Sequence, residues 1–195
     1  MKSEAIVELG KPLQTIESET PEPKGKEVLL KITHSGVCHS DVHIHDGYFD
    51  LGGGNKLPVG QMLNLPHTMG HEIEGEVAAI GPDVTDVEIG ANVVAYPWIG
   101  CGECATCKAG DEHYCNAPRQ LGIQLPGGFA DYCIVPDSKY VLDYTGIRPG
   151  LAATYMCSGL TAFGALKKFV NITDEDHILI MGLGGVGMMG LQFAR

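Results

Sequence analysis

Four closely spaced cysteines constrain the fold of this chain more than any other feature of its sequence. The first three are each separated by two residues, and the fourth follows after seven more (Cys101, Cys104, Cys107 and Cys115). Four thiolates at this spacing can surround one tetrahedral ion. Zinc suits them because sulfur ligands are soft and four of them leave no coordination position open. Residues 100–116 show no apolar periodicity, so a structural zinc would contribute about 10–16 kcal/mol to ordering them. Disulfides among the four thiols are the alternative.

Length and composition are those of an ordinary globular protein with one or two domains. The 195 residues are 44% hydrophobic and 19% charged, which suffices for a sizeable core. A net charge of −11 without a basic stripe disfavours nucleic acid as a partner. No apolar run approaches the roughly 20 residues that span a bilayer, and residues 1–11 lack signal-peptide character, so we expect no membrane partner. Seven cysteines, an odd number, fit metal binding in the reducing cytoplasm better than disulfide bonding.

Most of the chain alternates short apolar segments with glycine-containing turns. Many short strands at regular spacing predict a barrel-like β domain. Residues 47–60, with three consecutive glycines, have the composition of a surface loop. The predicted strands lie at residues 5–9, 13–17, 27–33, 70–81, 91–97, 127–135 and 139–142.

The pattern changes after residue 150. Residues 151–170 have helical apolar spacing, and residues 177–181 form an apolar run typical of a buried parallel strand. A Gly-x-Gly-x-x-Gly motif then opens an apolar helix. In it Gly182 would allow a tight turn, Gly184 the approach of a pyrophosphate and Gly187 close packing of the helix. A dinucleotide would place its pyrophosphate at this helix N-terminus. The alternative is a glycine turn that only packs a helix.

Further polar motifs lie between the predicted strands, and with the features above they carry a family resemblance. They read Gly36-Val-Cys38-His-Ser40-Asp41-Val-His43 and Gly70-His71-Glu72. Together with the cysteine lobe, Cys157 and the glycine motif, their order and spacing resemble the zinc-dependent medium-chain alcohol dehydrogenases over essentially the whole chain. Residues 48–54 and 97–104 look like a bacterial subgroup that includes 6-hydroxyhexanoate dehydrogenases.

The resemblance implies a mixed α/β fold of two parts. Residues 1–157 would form a GroES-like β-barrel catalytic domain with the structural zinc lobe at residues 97–116. Residues 158–195 would begin a Rossmann NAD(P)-binding domain. Family members are longer than this chain, so most of that second domain would lie outside these residues.

The resemblance also implies a second, catalytic zinc. Its ligands would be Cys38, His71 and Cys157, with the neighbouring carboxylate of Glu72 able to approach the metal. Two thiolates and one imidazole leave the fourth position of a tetrahedral zinc open, as catalysis requires. Asp41 would orient the histidine ligand. A core histidine at residue 71 and a buried helix cysteine at residue 157 are the alternatives.

Further positions match the family residue by residue. Ser40 and His43 match its proton relay, and Ser40 with Trp98 would line the substrate pocket. His39 stands where many members place an arginine against the cofactor, and residues 90–93 depart from the family's usual acidic turn. The predicted cofactor contacts are His39, His43, Gly182, Gly184, Gly185, Val186 and Gly187.

The implied function is oxidation of a small-molecule alcohol to an aldehyde or ketone, or the reverse, with hydride transferred to NAD or NADP. Zinc has no redox chemistry of its own, so a nicotinamide must take the electrons. The full-length protein would be a homo-oligomer, a dimer or a tetramer. A polyol or threonine dehydrogenase of the same superfamily is one alternative. A zinc-binding fragment without turnover is another.

Overall fold

Antiparallel strands with alternating buried side chains form most of the molecule. The computed structural model describes residues 1–169, 171, 173 and 175–195 and has the predicted mixed α/β character. The described strands are β1 (Lys2–Ile6), β2 (Gln14–Glu17), β3 (Val28–Gly36), β4 (Tyr48–Gly52), β5 (Asn55–Pro58), β6 (His67–Thr68), β7 (Glu72–Ile80), β8 (Asn92–Ala95), β9 (Tyr132–Val135) and β10 (Val141–Asp143).

These strands form three antiparallel sheets. The largest has the order β10-β8-β7-β3-β9, and smaller sheets have the orders β2-β1-β6 and β4-β5. The large sheet carries the main core, in which Val28, Leu30, Ile73 and Val77 are fully buried. Burial of these branched side chains fixes the register of β3 against β7, because a slip by one residue would turn them toward water.

Short helices follow the strands and carry several of the predicted site residues. They are α1 (His39–Asp46), α2 (Ala105–Lys108), α3 (Ala152–Thr154), α4 (Leu160–Leu166) and α5 (Gly185–Phe193). A π-helical turn, Tyr155–Gly159, joins α3 to α4 and contains Cys157. Such turns are rare and occur frequently at functional sites. Among the described residues, no helix combines the length and the apolar character that crossing a membrane requires.

The strand predicted at residues 5–9 lies earlier, at Lys2–Ile6, and two further predicted segments of the β region differ from the structure. Residues 47–60, predicted as a loop, form the hairpin β4–β5, with the three glycines at its tip in left-handed conformations. Residues 127–131 precede β9 instead of extending it, because Gly127 and Gly128 donate backbone hydrogen bonds to Thr68 and Gly70. Both corrections reflect backbone pairings between segments that residue types alone do not indicate.

The C-terminal predictions need two corrections as well. The predicted helix over residues 151–170 is divided by the π turn and ends at Leu166, while position 170 lies outside the described residues. Residues 177–181, predicted as a buried parallel strand, are not a strand, and Leu179 and Met181 are 84% and 89% exposed. A strand exists only through hydrogen bonds to a neighbour, and the described part of the chain places none beside this segment.

Candidate metal centres and glycine loop

Three distant parts of the chain bring Cys38, His71 and Cys157 together. Cys38 is the N-cap of α1, His71 immediately precedes β7, and Cys157 lies in the π turn. Their donor atoms lie within 4.8 Å of one another, and the two sulfurs are 3.8 Å apart. Two sulfurs that bind the same tetrahedral zinc ion, each at about 2.3 Å, would be roughly 3.8 Å apart. The spacing therefore suits a shared metal ion.

The contact between the two thiols of this set shifts their pKa values in opposite directions. The hydrogen bond with Cys157 is the main cause that lowers the pKa of Cys38 to about 3, and the same contact, with burial, raises the pKa of Cys157 above its usual range. Interactions with His71 and Ser40 lower the pKa of Cys38 further. A divalent ion between the two sulfurs would remove this competition, because it stabilises both thiolates.

His71 supplies the test of whether a metal fits. Its side chain is fully buried, and among the described residues neither ring nitrogen has a hydrogen-bond partner. Asp41 Oδ1 lies 3.2 Å from Nδ1, close enough for an ion pair although not aligned as a hydrogen bond. Burial lowers the pKa of His71, but Asp41 and the Cys38 thiolate outweigh it and raise the pKa to about 9. The free Nε2 is an orphaned polar atom that a metal would satisfy.

Asp41 connects two of the three ligands. Its Oδ2 accepts a 2.8 Å hydrogen bond from the backbone N–H of Cys38, completing a capping box at the start of α1. Its Oδ1 faces His71. A carboxylate in this position fixes the turn that carries one ligand while it stabilises the ring of the other. This matches the orienting role that the resemblance implies.

The carboxylate of Glu72 lies in the same buried region but faces another partner. Ser158, the residue after Cys157, donates a 3.0 Å hydrogen bond to Glu72 Oε1. Burial raises the pKa of Glu72, and Ser158 partly opposes that shift. A Cβ on Gly36 would lie 2.1 Å from Glu72 Oε2, so this carboxylate requires glycine at that position. The approach of Glu72 to a metal stays a prediction.

Trp98 lies between His71 and the residue before Cys157. Its ring centroid lies 5.7 Å from that of His71, and its Nε1–H donates a 2.8 Å hydrogen bond to the carbonyl of Met156. Met156 directly precedes Cys157. Trp98 thus lies beside His71, and its part in a substrate pocket stays a prediction.

The predicted relay residues lie on α1, directly after Cys38. Ser40 contacts the Cys38 sulfur through its backbone N–H and its hydroxyl. His43 lies between two aromatic rings, with centroids 4.8 Å from His39 and 4.7 Å from Phe49. Helical spacing places residues 39 and 43 on one face. The structure brings these three polar side chains to the same short helix as the first ligand.

The four-cysteine lobe forms a second compact sulfur cluster. All four sulfurs lie within 4.8 Å of one another, and three sulfur pairs are 3.5, 3.8 and 3.9 Å apart (Cys104–Cys107, Cys104–Cys115 and Cys101–Cys107). In the described chain all four are free thiols, so the disulfide alternative is not what the structure shows. The spacing is that of a tetrahedral thiolate site.

Backbone N–H groups point at these sulfurs. Cys101, Cys104, Cys107 and Ala117 each donate from the backbone to a cluster sulfur at 3.3–3.5 Å. Backbone hydrogen bonds lower the pKa of Cys101 to about 6, whereas burial raises the pKa of Cys107 to about 12. A cation bound by the lobe would stabilise these sulfurs as thiolates.

Glu112 attaches the lobe to the sheet, a contact that the sequence did not indicate. Its carboxylate accepts from Gly100 N–H at 3.3 Å and from Lys139 Nζ at 2.7 Å, and Tyr140 Oη also donates to it. A Cβ on Gly100 would lie 2.5 Å from Cys107 Sγ. Close packing and one partly buried acid thus set the lobe against the turn that precedes β10.

The glycine motif forms a turn and a helix start. Gly182 has φ +88°, which L side chains rarely adopt, and a Cβ on Gly187 would lie 1.9 Å from the Gly182 carbonyl oxygen. A Cβ on Gly184 would meet nothing within 4 Å, so the chain itself leaves that surface open. Gly185 and Val186 begin α5, whose first N–H groups point out of the turn. This arrangement can accept an anion, and its use for a dinucleotide stays a prediction.

An antiparallel β domain with two separate sulfur-rich donor sets is the architecture of a GroES-like dehydrogenase domain. The profile of the alcohol dehydrogenase GroES-like domain matches residues 24–145. The chain belongs to this family, which confirms the predicted fold class.

Individual relatives agree with this assignment. The chain is 40% identical over 197 residues to an NAD-dependent alcohol dehydrogenase of Saccharolobus solfataricus, covering 100% of this chain and 55% of that protein. It is 35% identical over 175 residues to an L-threonine 3-dehydrogenase of Francisella tularensis, covering 90% of this chain and 47% of that protein. A cobalt- and zinc-bound thermostable alcohol dehydrogenase from Pyrobaculum aerophilum superposes with a TM-score of 0.81 at 30% identity. The superposition covers 100% of this chain and 55% of that protein.

The chain spans about half the length of the curated relatives it matches. The predicted resemblance to alcohol dehydrogenases is confirmed. These relatives lend no support to the narrower 6-hydroxyhexanoate dehydrogenase subgroup.

Proposed function

We propose that this chain forms the catalytic domain and the beginning of the nucleotide-binding domain of a zinc-dependent alcohol dehydrogenase. The reaction would interconvert an alcohol and an aldehyde or ketone. The observation that carries the proposal is the convergence of Cys38, His71 and Cys157 within 4.8 Å. Two sulfurs and one imidazole leave one tetrahedral position of zinc for a substrate. The cobalt- and zinc-bound relative supports a metal here, and the relatives named as NAD-dependent support NAD, with NADP as the alternative.

The donor set would hold the metal, and residues beside it would transfer a proton. When bound, zinc would act as a Lewis acid that acidifies an alcohol, and the nicotinamide would accept a hydride from the alcohol carbon. Ser40 would take the alcohol proton and pass it to His43, which returns it to water. One hydride and one proton thus leave the alcohol by separate routes.

The neighbouring groups would keep this site in one geometry. Asp41 would hold His71 in orientation, Glu72 would remain near the ligands through Ser158, and Trp98 would form one wall of the substrate pocket. Such outer contacts typically affect metal affinity or activity about 10–100-fold.

The remaining predicted roles complete the proposal. The four-cysteine lobe would hold a second, structural zinc, giving two per chain. The glycine turn, with Gly182, Gly184, Gly185, Val186 and Gly187, would bind the cofactor pyrophosphate, and His39 and His43 would contact the cofactor from α1. The domain boundary would lie near residue 157, and the full-length protein would be a homo-oligomer.

The test is a comparison of two cysteine variants in the full-length protein. Cys38→Ser should remove one zinc and abolish NAD reduction with alcohols. Cys133→Ser is the matched control, because Cys133 is a buried cysteine outside both donor sets. It should retain both zinc ions and turnover. Full activity of Cys38→Ser, or an unsubstituted protein that is folded and metal-replete but inactive on all alcohols, would overturn the proposal.

A threonine dehydrogenase is the second candidate, favoured by the similarity to L-threonine 3-dehydrogenases. Both activities would use the same donor set, so metal content does not separate them. NAD reduction with L-threonine, compared with that for simple primary and secondary alcohols, does. A kcat/KM higher for L-threonine than for every alcohol would favour the second candidate.

A further inference from the structure

A second buried carboxylate on β7 lies outside both donor sets. Glu74 is 1% exposed and follows Glu72 by two residues, so it faces the same side of the strand. A carboxylate is almost never fully buried unless it is paired, because removal from water without partners is costly. The partners of Glu74 therefore indicate what it does.

Three groups donate to the Glu74 carboxylate. The backbone N–H of Gly150 lies 3.0 Å from both oxygens, His34 Nδ1 lies 3.1 Å from Oε1, and Tyr144 Oη lies 3.3 Å from Oε1. His34 comes from the neighbouring strand β3. Gly150 and Tyr144 come from the segment between β10 and α3. Glu74 thus ties that segment to the central sheet.

The backbone of Glu74 is itself held firmly. The β3–β7 register shifts between Ile32 and His34, and Thr33 Oγ1 donates to the Glu74 carbonyl at 3.2 Å. A Cβ on Gly75 would lie 2.6 Å from the Lys31 carbonyl oxygen, so the strands approach closely here. A bulge of this kind fixes where a side chain points.

The anchored segment leads directly to a predicted metal ligand. Gly150 precedes Cys157 by seven residues. Gly150 has φ +79°, and a Cβ there would lie 3.3 Å from the His34 ring. Ala152 and Ala153, each 1% exposed, pack α3 against the sheet, and the π turn follows without a break. A displacement at Gly150 would therefore be transmitted to the Cys157 sulfur.

We infer that Glu74 is a positioning residue that sets the Cys157 ligand against Cys38 and His71. Glu74 acts through the Gly150 N–H and the α3 segment and contacts neither the donor atoms nor the substrate. The inference rests on the proposed function only in treating Cys157 as a metal ligand. Its tests include one that needs no metal.

The first test measures metal loss from the three-residue site in the full-length protein. Co²⁺-loaded protein is mixed with a chelator, and decay of the thiolate-to-cobalt absorption is followed. Glu74→Ala should lose this cobalt about tenfold faster, in line with outer contacts of metal ligands. Glu74→Gln should lie between parent and Glu74→Ala, because its amide oxygen still accepts from Gly150. In a Cys38→Ser background, the same measurement reports cobalt loss from the lobe alone. The Glu74 substitutions should not change that rate.

Glu76→Ala and Glu76→Gln are the matched controls. Glu76 lies on the same strand but is exposed, so these variants make the same substitutions without touching the cluster. They should behave as the parent. Equal cobalt loss in the Glu74 and Glu76 variants would overturn the inference, as would faster loss from the lobe in the Glu74 variants, which indicates general destabilisation.

The second test uses metal-free protein and hydrogen exchange. Glu74→Gln should increase amide exchange in residues 144–157 and leave the lobe at parent rates. Tyr144→Phe should act in the same direction with smaller amplitude, which keeps the test decisive if Glu74→Ala does not fold. Unchanged exchange in residues 144–157 would overturn the inference. A parent protein that binds no cobalt at the three-residue site would instead overturn the proposed function, while the exchange result would still decide this one.

Discussion

Trp98 Nε1 donates a 2.8 Å hydrogen bond to the carbonyl of Met156, so the indole that packs against His71 also holds the residue before Cys157. One side chain therefore links His71 to the residue before Cys157, so it connects two predicted ligands from distant parts of the chain. The same indole would face the substrate. Its two functions, packing and hydrogen bonding, can be separated by substitution.

Trp98→Phe should keep an aromatic wall but lose the hydrogen bond. The Met156 carbonyl would lose its donor, which should lower the free energy of unfolding by about 1–3 kcal/mol. Urea unfolding of the full-length protein, followed by circular dichroism, measures this loss. Tyr114→Phe is a control because Tyr114 is 65% exposed and should change stability little. A Trp98→Phe protein as stable as the parent would show that the hydrogen bond has no net effect.

The two sulfur sets should respond differently to loss of one ligand. Cys107→Ser should lower soluble yield and thermal stability, because the lobe has little core of its own and depends on its ion. Cys38→Ser should leave a folded protein with one zinc and no turnover. Metal analysis, thermal unfolding and alcohol oxidation on both variants check this difference. At most one zinc in carefully purified, metal-replete parent protein would contradict it.

The lobe attachment through Glu112 predicts a pH-dependent effect. Burial raises the pKa of Glu112, but hydrogen bonds from Lys139 and Tyr140 outweigh it and hold the pKa below its usual value of 4.5. The charged form is thus favoured in the folded state, so its stabilisation is present above pH 4.5 and is lost as the pH falls through the lowered folded pKa.

Glu112→Gln should therefore destabilise the protein most at neutral pH. The expected loss is about 1–2 kcal/mol, because Lys139 is half-exposed and the pair is partly screened by solvent. The difference from the parent should stay constant between about pH 6 and 8. Urea unfolding from pH 8 down to about pH 4 measures both the constant difference and its decrease below pH 4.5, with the exposed Glu103→Gln as the control. A difference that grows as the pH falls would contradict the assigned direction of the pKa shift.

His43→Gln should slow alcohol oxidation most at lower pH. His43 lies on α1 three residues after Ser40, and the substitution would remove the last proton acceptor of the proposed relay. At higher pH, hydroxide in water can take the proton instead, so the defect should shrink. The pH–rate profile of the full-length variant tests this. A profile that superimposes on that of the parent would argue decisively against the relay.

The two donor sets were predicted in different ways. Cys101 to Cys115 are close in sequence, and their spacing indicates a metal site. The set of Cys38, His71 and Cys157 was implied by the family resemblance. The anchors were not predictable in either way. The hydrogen bonds of Glu74 with Gly150 and of Glu112 with Lys139 form only when the sheet brings these residues together. The sequence around Glu74 and Glu112 does not indicate their partners.

Secondary structure followed the same division between local and long-range causes. Alternation of apolar residues was sufficient to find β3 and β7, whose pairing buries a core. It misassigned residues 177–181, because an apolar run forms a strand only when another strand lies beside it. The π turn around Cys157 also had no signal in the helical spacing of residues 151–170.

A polypeptide of residues 1–195 alone should not oxidise alcohols. A dinucleotide site needs a sheet with a switch point between two βαβ halves. The described residues contain the glycine turn and α5, but residues 177–181 form no strand, and Leu179 and Met181 face water. A nicotinamide could not be held against the donor set, and loss of such positioning forfeits roughly 7–11 kcal/mol of barrier reduction.

Metal binding by the same polypeptide should persist, since the lobe ligands span only residues 101–115. The exposed apolar residues Ile178, Leu179 and Met181 should promote association, which light scattering would detect. The decisive measurement is an assay of the purified polypeptide with primary alcohols and either NAD or NADP, beside the full-length protein at equal zinc content. Both samples carry the same donor set. Turnover by the full-length protein alone would therefore indicate that residues 1–195 do not position the cofactor. Zinc-dependent turnover by residues 1–195 at a comparable rate would show that these residues already hold the nicotinamide, and the argument from the sheet would be wrong.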